Sequence, residues 1–371
     1  MTIPHHKALV NVPSIPPISD EQCVLSVKPY TAAEADRWDA FVRNSPGGTF
    51  CHLSGWLRVV ARVWGYPLQA LLAERGGQIV GVLPLALVQS CWFGARLIST
   101  PNAVYGGVLT DEAAANAALL TAARQLAYER SVDFLELRDV SSHNFSAQGV
   151  ELHQQDLYVT FTHALEADPE ALLRSFPRDI RRMIRQGEKH GLTSEIGGLE
   201  LLDEFYDVYA ASVRNLGTPV FPKRLFAEFL REFPDASDIL VVRQGRQTAG
   251  AVLSFYFRDT VLPYYGGAYP AFYRAGVSNF MYWELMRRAA ARGFTRFDFG
   301  RSKRGTGACE FKRGWRMTEQ PLPYKFLLVR AQSMPELNPL NPKFKLFIAT
   351  WKRLPLSLTK WIGPQIVKHL P

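Results

Sequence analysis

Two stretches decide the fold: AERGGQIVGV at Ala73–Val82 and VRQGRQTAGAV at Val242–Val252. Each reads as a β-hairpin, with apolar runs on both sides of a glycine turn. Downstream of each comes a Tyr-Gly-Gly, Tyr105-Gly106-Gly107 and Tyr265-Gly266-Gly267. An alanine-rich helical stretch follows, and then a short apolar–acidic strand, FLELRD at 134–139 and FDFGRS at 297–302. The offsets from Gly81 to Gly250, Tyr105 to Tyr265 and Glu136 to Asp298 are 169, 160 and 162 residues. Near-constant spacing over so long a period marks a duplicated domain rather than a solenoid repeat.

The elements around these anchors repeat the plan. Val24–Val27 reads as the first strand. Thr31 followed by Glu34 resembles a capping box opening a helix through Trp38 and Phe41. Trp56, Val59, Val60 and Val63 have helical spacing within Ser54–Val63. Gln69–Glu74 and Gln78–Val88 read as strands, Glu112–Arg130 as a helix and Val132–Leu137 as a strand. In the second copy the strands are Ile239–Arg243, Thr248–Arg258, Thr260–Tyr265, Arg296–Phe299 and Tyr324–Val329, with a helix over Ser278–Arg292. Strand, helix, meander, helix, strand is a mixed α/β layered domain. This order suits an acyl-CoA N-acyltransferase fold better than a doubly wound nucleotide fold. No GxGxxG follows a strand and no Walker sequence occurs, so neither NAD nor ATP is expected. The expected division is a lead-in at 1–22, domains at 23–165 and 166–335, and a tail at 336–371.

Composition sets the outer limits. The chain of 371 residues is 47% hydrophobic and carries a formal charge of +9. That rules out a disordered or fibrous protein and leaves two readings of the charge: an anionic partner, or a basic protein without one. Cys23, Cys51, Cys91 and Cys309 form no CxxC pair, so no zinc site is implied. No run of 18 apolar residues and no signal-like N-terminus is present, which points to the cytoplasm. A flexible lead-in is expected where Pro13, Pro16 and Pro17 cluster.

Three stretches carry chemistry. Phe297–Trp315, FDFGRSKRGTGACEFKRGW, joins four glycines to five cations. Such a loop after a strand suits a phosphate or a developing oxyanion, or else is a basic surface hairpin. Within it Lys312, beside Phe311, is the candidate to stabilise charge on a reacting carbonyl. Trp315 is expected to wall the pocket, and Asp298 to orient the loop or accept a proton. Arg214 and Asn215 precede Gly217 and an extended Thr218-Pro219 turn, as a rigid polar loop would. Tyr265 ends a strand, and Tyr273, Arg274, Asn279 and Trp283 surround a helix start, where amide donors attract anions. A further cationic row, Arg178, Arg181, Arg182, Arg185 and Lys189, shares one helical face and either tracks phosphates or is simply solvated.

NLGTPVFP at 215–222, YYGGAYP at 264–270 and DFGRSKRGTGACEFKRGW at 298–315 together resemble the FemAB-like family, and most of all its branch associated with exosortase (PEP-CTERM) systems. The resemblance spans roughly residues 24–350. It implies two tandem GNAT-type domains and transfer of an amino acid or acyl group to a cell-envelope precursor, peptidoglycan- or exopolysaccharide-related. Phe311-Lys312 matches the family's Phe-Lys pair at the acyl-transfer site, and Arg301 and Ser302 its neighbouring loop. No cofactor is expected to be tightly bound; the donor is acyl-CoA or aminoacyl-tRNA. The segment between Gly191 and Ile239 has neither the length nor the heptads of the family's tRNA-binding arm, which weighs against tRNA. A non-catalytic envelope assembly protein and a nucleic-acid binder through the cationic stripe at 174–189 are the competing readings. Residues 341–371 alternate aromatic and cationic positions, consistent with either a peripheral helix on anionic lipid at the inner membrane face or a domain cap.

Overall fold

The computed structural model describes residues 24–90, 93–139, 149–334 and 342–369, without the side chains of 342–346. The expected lead-in, Cys23, Cys91 and nearly all of the stretch 141–149 lie outside them.

The first copy opens with β1 (Leu25–Pro29), α1 (Ala35–Asn44) and α2 (Ser54–Trp64). Thr31 does not cap: its side chain accepts no helix N–H, and Glu34 pairs instead with Lys28 and Arg37. A reciprocal capping box does occur at Thr49 and His52. The hairpin β2 (Leu71–Arg75) and β3 (Gln78–Leu83) pairs with β1 in a three-stranded sheet. The single strand expected over Gln78–Val88 is two. Pro84, which has no N–H to give a ladder, follows the last residue of β3, and the chain re-enters as β4 (Ala86–Ser90) in a second sheet. β5 (Gly94–Ile98), α3 (Ala113–Glu129) and β6 (Phe134–Arg138) complete the copy.

β7 (His153–Ala164) leads into α4 (Pro169–Arg174), α5 (Arg178–Lys189), β8 (Leu192–Gly197), α6 (Leu202–Leu216) and α7 (Lys223–Glu232). The meander β9 (Ser237–Gln244), β10 (Gln247–Phe257) and β11 (Thr260–Ala268) follows, then α8 (Val277–Ala291), β12 (Arg296–Asp298), β13 (Ser302–Lys303), α9 (Gly307–Arg313) and β14 (Thr318–Leu328). The large sheet runs β4-β5-β6-β14-β7-β12-β11-β10-β9-β8, with β13 on β7. β14 lies between β6 and β7, so the last strand of the second copy closes the sheet of the first. β7, inside the expected first domain, pairs with β12 and β13 of the second.

Aromatic packing seals the two copies together. Phe50 stacks on Phe255 at 4.4 Å between centroids, and Trp56 meets Phe229 at 4.6 Å. These rings belong to one buried cluster that contains residues of both copies, with α6 and α7 on that side of the sheet. A second cluster lies beneath α5, α8 and α9, and a third beneath α3. The Tyr-Gly-Gly anchors diverge in conformation. Gly266 and Gly267 lie within β11, whereas Gly106 and Gly107 have φ of 156° and 96°. In the first copy the segment therefore leaves the ladder and returns to β3 through a bridge from Leu109 to Val82 and a bond from Thr110 Oγ1 to Val80 O at 2.6 Å.

Two C-terminal helices, α10 (Pro342–Trp351) and α11 (Leu356–Val367), end the described chain. Among the described residues no helix is long and apolar enough to cross a membrane.

Candidate active site at the seam of the two copies

Asp298 ends β12 at the centre of the sheet and is nearly buried. Its carboxylate accepts from Tyr105 Oη at 2.7 Å, Thr160 Oγ1 at 2.5 Å and Gly300 N at 2.9 Å. Three donors on one buried carboxylate fix its orientation and that of the following turn. The turn requires Gly300, whose φ is 66°. Of the two roles expected for Asp298, the geometry carries the orienting one directly, and Tyr105 makes the first copy part of it.

Lys312 does not lie in an open loop. Thr306 caps α9 by accepting from Cys309 N, and the helix carries Lys312 back beneath the turn. Its Nζ donates to Phe299 O at 2.7 Å, Gly300 O at 3.1 Å and Arg301 O at 3.5 Å. It also stands 5.5 Å from the centre of the Phe299 ring. Burial pushes its pKa down to about 8, against the pull of Asp298. The ammonium thus braces the Asp298–Arg301 turn, its third contact the weakest.

Arg301 leaves the turn to lie over Tyr158 at 4.6 Å and donates to Tyr324 Oη at 3.2 Å. Tyr324 in turn donates to Val104 O at 2.6 Å, and Val104 N donates to Tyr264 Oη at 2.6 Å. One residue of the first copy is so held at both backbone groups by tyrosines of the second. Tyr265 donates to Asn102 O at 3.4 Å and is otherwise packed among Tyr209, Phe226 and Tyr264. Ser302 sits on β13 with a buried Oγ that has no hydrogen-bond partner.

Other expected site residues lie elsewhere or serve the core. Trp315, expected to wall a pocket, is buried against Phe176, Tyr282 and Phe299. Phe311 is partly buried on the same cluster. Arg214 and Asn215, expected in a loop, are the last turn of α6. There Arg214 bonds Asn215 and, at 3.4 Å, Leu354 O beyond α10. Asn279 is 8% exposed in the first turn of α8, and Trp283 is core. Along α5, Arg178, Arg182, Arg185 and Lys189 are exposed.

Sequence reasoning missed a cavity of about 380 Å³ in the first copy. Val108, Leu109, Leu120, Leu137 and Leu152 form apolar walls, and Asp111, Asn116, Asp139 and Lys325 are polar. Lys325 of β14 pairs with Asp139 at 3.1 Å, while burial raises the Asp139 pKa. Gly107 is favoured there, because its φ of 96° strains other residues and a Cβ would meet Asp139 Oδ1. His52 also contributes to the lining, and burial lowers its pKa to about 4. The unlike fate of Gly106-Gly107 was the missed signal: a glycine pair outside a ladder makes room. Nothing in the sequence announces that Lys325 reaches across from β14.

Comparison with known proteins places the fold in a class. Residues 174–313 match the acetyltransferase (GNAT) domain family. FemX shares the fold over 87% of this chain and 100% of its own, at 15% identity and a TM-score of 0.63. A conserved protein of unknown function from Bacteroides thetaiotaomicron covers 82% of this chain with 100% of its own, at 11% identity and 0.57. The C-terminal domain of a protein named for lysylphosphatidylglycerol synthetase, from Agrobacterium fabrum, covers 86% with 96% of its own, at 14% identity and 0.52. No curated protein matches the sequence. The chain has the fold of two GNAT-like units in tandem. At these identities the likeness is one of fold.

Proposed function

We propose that this protein transfers an acyl or aminoacyl group to an amine on a cell-envelope precursor. The observation that carries this is the turn at Asp298–Arg301, gripped by Lys312 from below and by Tyr105 of the other copy. An acceptor amine attacks the donor's acyl carbonyl, a C–N bond forms, and the bond to the donor's sulfur or oxygen breaks. The amine's proton leaves to Asp298, to a substrate phosphate or to water. As negative charge grows on the acyl oxygen, that oxygen displaces Arg301 O, whose 3.5 Å contact is the weakest of the three that Lys312 makes. In this reading the cavity beside Asp139, which reaches Gly106 next to Tyr105, holds the acceptor, so that the first copy serves the acceptor and the second the chemistry.

The FemX and lysylphosphatidylglycerol synthetase likenesses support an envelope acceptor, for which we favour a peptidoglycan-related precursor. For the donor we favour an acyl thioester over aminoacyl-tRNA. Between Gly191 and Ile239 the chain builds β8 and the core helices α6 and α7, with no projecting arm. The start of α8, with exposed Arg274 close by, offers anion-binding amides for the donor's phosphates.

One observation favours a non-catalytic envelope-binding protein instead: all three Lys312 protons already have acceptors. Purified protein incubated with acyl-CoA or charged tRNA and a panel of amino-bearing envelope precursors separates the two readings. Transfer, read as an acylated product by mass spectrometry, is expected from acyl-CoA and reduced ~100-fold or more in Lys312→Ala. If neither donor is consumed while precursor binding is equal in wild type and variant, the binding reading stands and the transferase reading falls.

A further inference from the structure

The C-terminal helices form a fixed strap. Trp351 and Thr359 are buried, and Trp351 Nε1 donates to Thr218 O at 3.0 Å. Gly363 presses on Val220, where a Cβ would come within 2.7 Å of its backbone nitrogen. At the far end Tyr66 Oη donates to Lys368 O at 2.6 Å and Arg96 to His369 O at 2.8 Å. Residues of both copies thus hold the strap down. Its inner face is committed to the protein, and its outer face is set by the same docking.

That outer face is unusual for a domain cap. Thr359, Gly363 and Val367 turn inward, so Ser357, Trp361, Gln365 and Lys368 form the exposed row of α11. Trp361 is 75% exposed. Beside α10, Leu216 is 66% and Phe347 37% exposed, and Leu216 adjoins Gly217, which packs on Ile348 and Lys352. Residues 341–371 contain six Lys and Arg and no acid. The acids on the adjoining helix α6 are neutralised locally, Asp207 by Lys360 and Asp203 by Lys223. Lys352, Arg353 and Lys368 are exposed with no acidic partner among the described residues. Outward indole and apolar side chains beside uncompensated cations are complementary to an anionic, interfacial surface.

We propose that the α10–α11 strap seats the protein on an anionic bilayer, with Trp361 entering the headgroup region and Lys352, Arg353 and Lys368 meeting the lipid charge. The cationic row of α5 lies over a different cluster, on the side of the sheet with α8, and belongs to another surface. This inference stands without the transferase reading. It also gives that reading a place: an acceptor delivered at a membrane surface.

Co-sedimentation of the full-length protein with phosphatidylglycerol–phosphatidylcholine vesicles, against pure phosphatidylcholine vesicles, tests it. Wild type pellets with the anionic vesicles only, and less so as salt rises. Trp361→Ser and the pair Lys352→Glu/Arg353→Glu each weaken partitioning about tenfold or more. Both change exposed side chains, and an unchanged thermal melt confirms the fold. Arg182→Glu/Arg185→Glu on α5 leaves partitioning within about twofold. The proposal is overturned if wild type ignores anionic vesicles, if Trp361→Ser partitions like wild type, or if only the α5 variant loses binding. Sedimentation that reveals self-association abolished by Trp361→Ser, without lipid binding, assigns the face to a second copy and equally overturns it.

Discussion

At the scale of single residues, two buried ionisable groups make the structure measurable. His52 is neutral when folded, with its pKa lowered by burial to about 4 from an ordinary 6.5. The unfolded imidazole takes up a proton between those values that the folded one refuses. Stability is therefore intact above about pH 6.5 and falls as pH drops toward 4, by about 3 kcal/mol from this residue alone. Urea titrations of wild type and His52→Gln at pH 7 and pH 4.5 should show the acid loss reduced in the variant. Equal losses would mean that His52 is not the group being charged. Asp298 gives a sharper test of the seam. Asp298→Ala leaves the hydroxyls of Tyr105 and Thr160 and the N–H of Gly300 buried without their acceptor. A loss of roughly 3 kcal/mol follows, and Tyr105→Phe, which removes one of those bonds, should cost about 1 kcal/mol. Chemical denaturation of both variants checks the order.

At the scale of elements, close packing explains which positions tolerate no change. Gly276 precedes α8 with φ of 77°, and a Cβ there would stand 2.4 Å from Met183 O on α5. Gly276→Ala combines left-handed strain with a clash against backbone, so α8 must move from α5. A loss of about 2 kcal/mol or more is expected by thermal denaturation; Gly245→Ala in the β9–β10 turn, also left-handed at 58° but open around, should cost less. The hairpins, the helices α3 and α8 and the strands opening FLELRD and FDFGRS were legible because their periodicity and glycine turns are local signals, whereas α6 was not expected. The break at Pro84 was legible in principle, since proline interrupts a ladder. What periodicity did not carry was the partner of each element. Thr31 has the pattern of a cap, yet Glu34 is drawn to Lys28 and Arg37, an arrangement set by folding β1 against α1. Lys312 was found by its motif, but its three carbonyl acceptors depend on α9 being a helix, which a stretch with four glycines does not suggest.

At the scale of the whole molecule, the duplication yields two interlocked copies rather than two beads. β14 from the end of the chain lies between β6 and β7, and the Phe50–Phe255 stack crosses the seam. Fragments 24–165 and 166–369 expressed apart should each be deprived of a neighbouring strand and fail to give a cooperative melt. Co-expression should restore one. Independent, cooperative unfolding of either fragment would contradict the interlock. The repeat suggested a division at 165/166, but the pairing of β7 with β12 and β13 and the insertion of β14 beside β6 were not legible, because sequence order carries no record of which neighbour a strand joins. The seam so formed gathers Tyr105, Tyr264, Asp298, Arg301 and Tyr324 around one backbone segment, joining the unequal copies through one hydrogen-bonded network.

The most direct test of the account is the pH dependence of acyl transfer from acyl-CoA in wild type, Lys312→Arg and Lys312→Ala. With the Lys312 pKa near 8, the charged form that stabilises an oxyanion is present below that pH and lost above it. Transfer by wild type, corrected for the rising fraction of free acceptor amine, should fall above about pH 8. Lys312→Arg should keep partial activity without that fall, and Lys312→Ala should be slow at every pH. A wild-type rate that climbs through pH 8 after the same correction, or a Lys312→Ala profile matching wild type, would contradict the role assigned to Lys312.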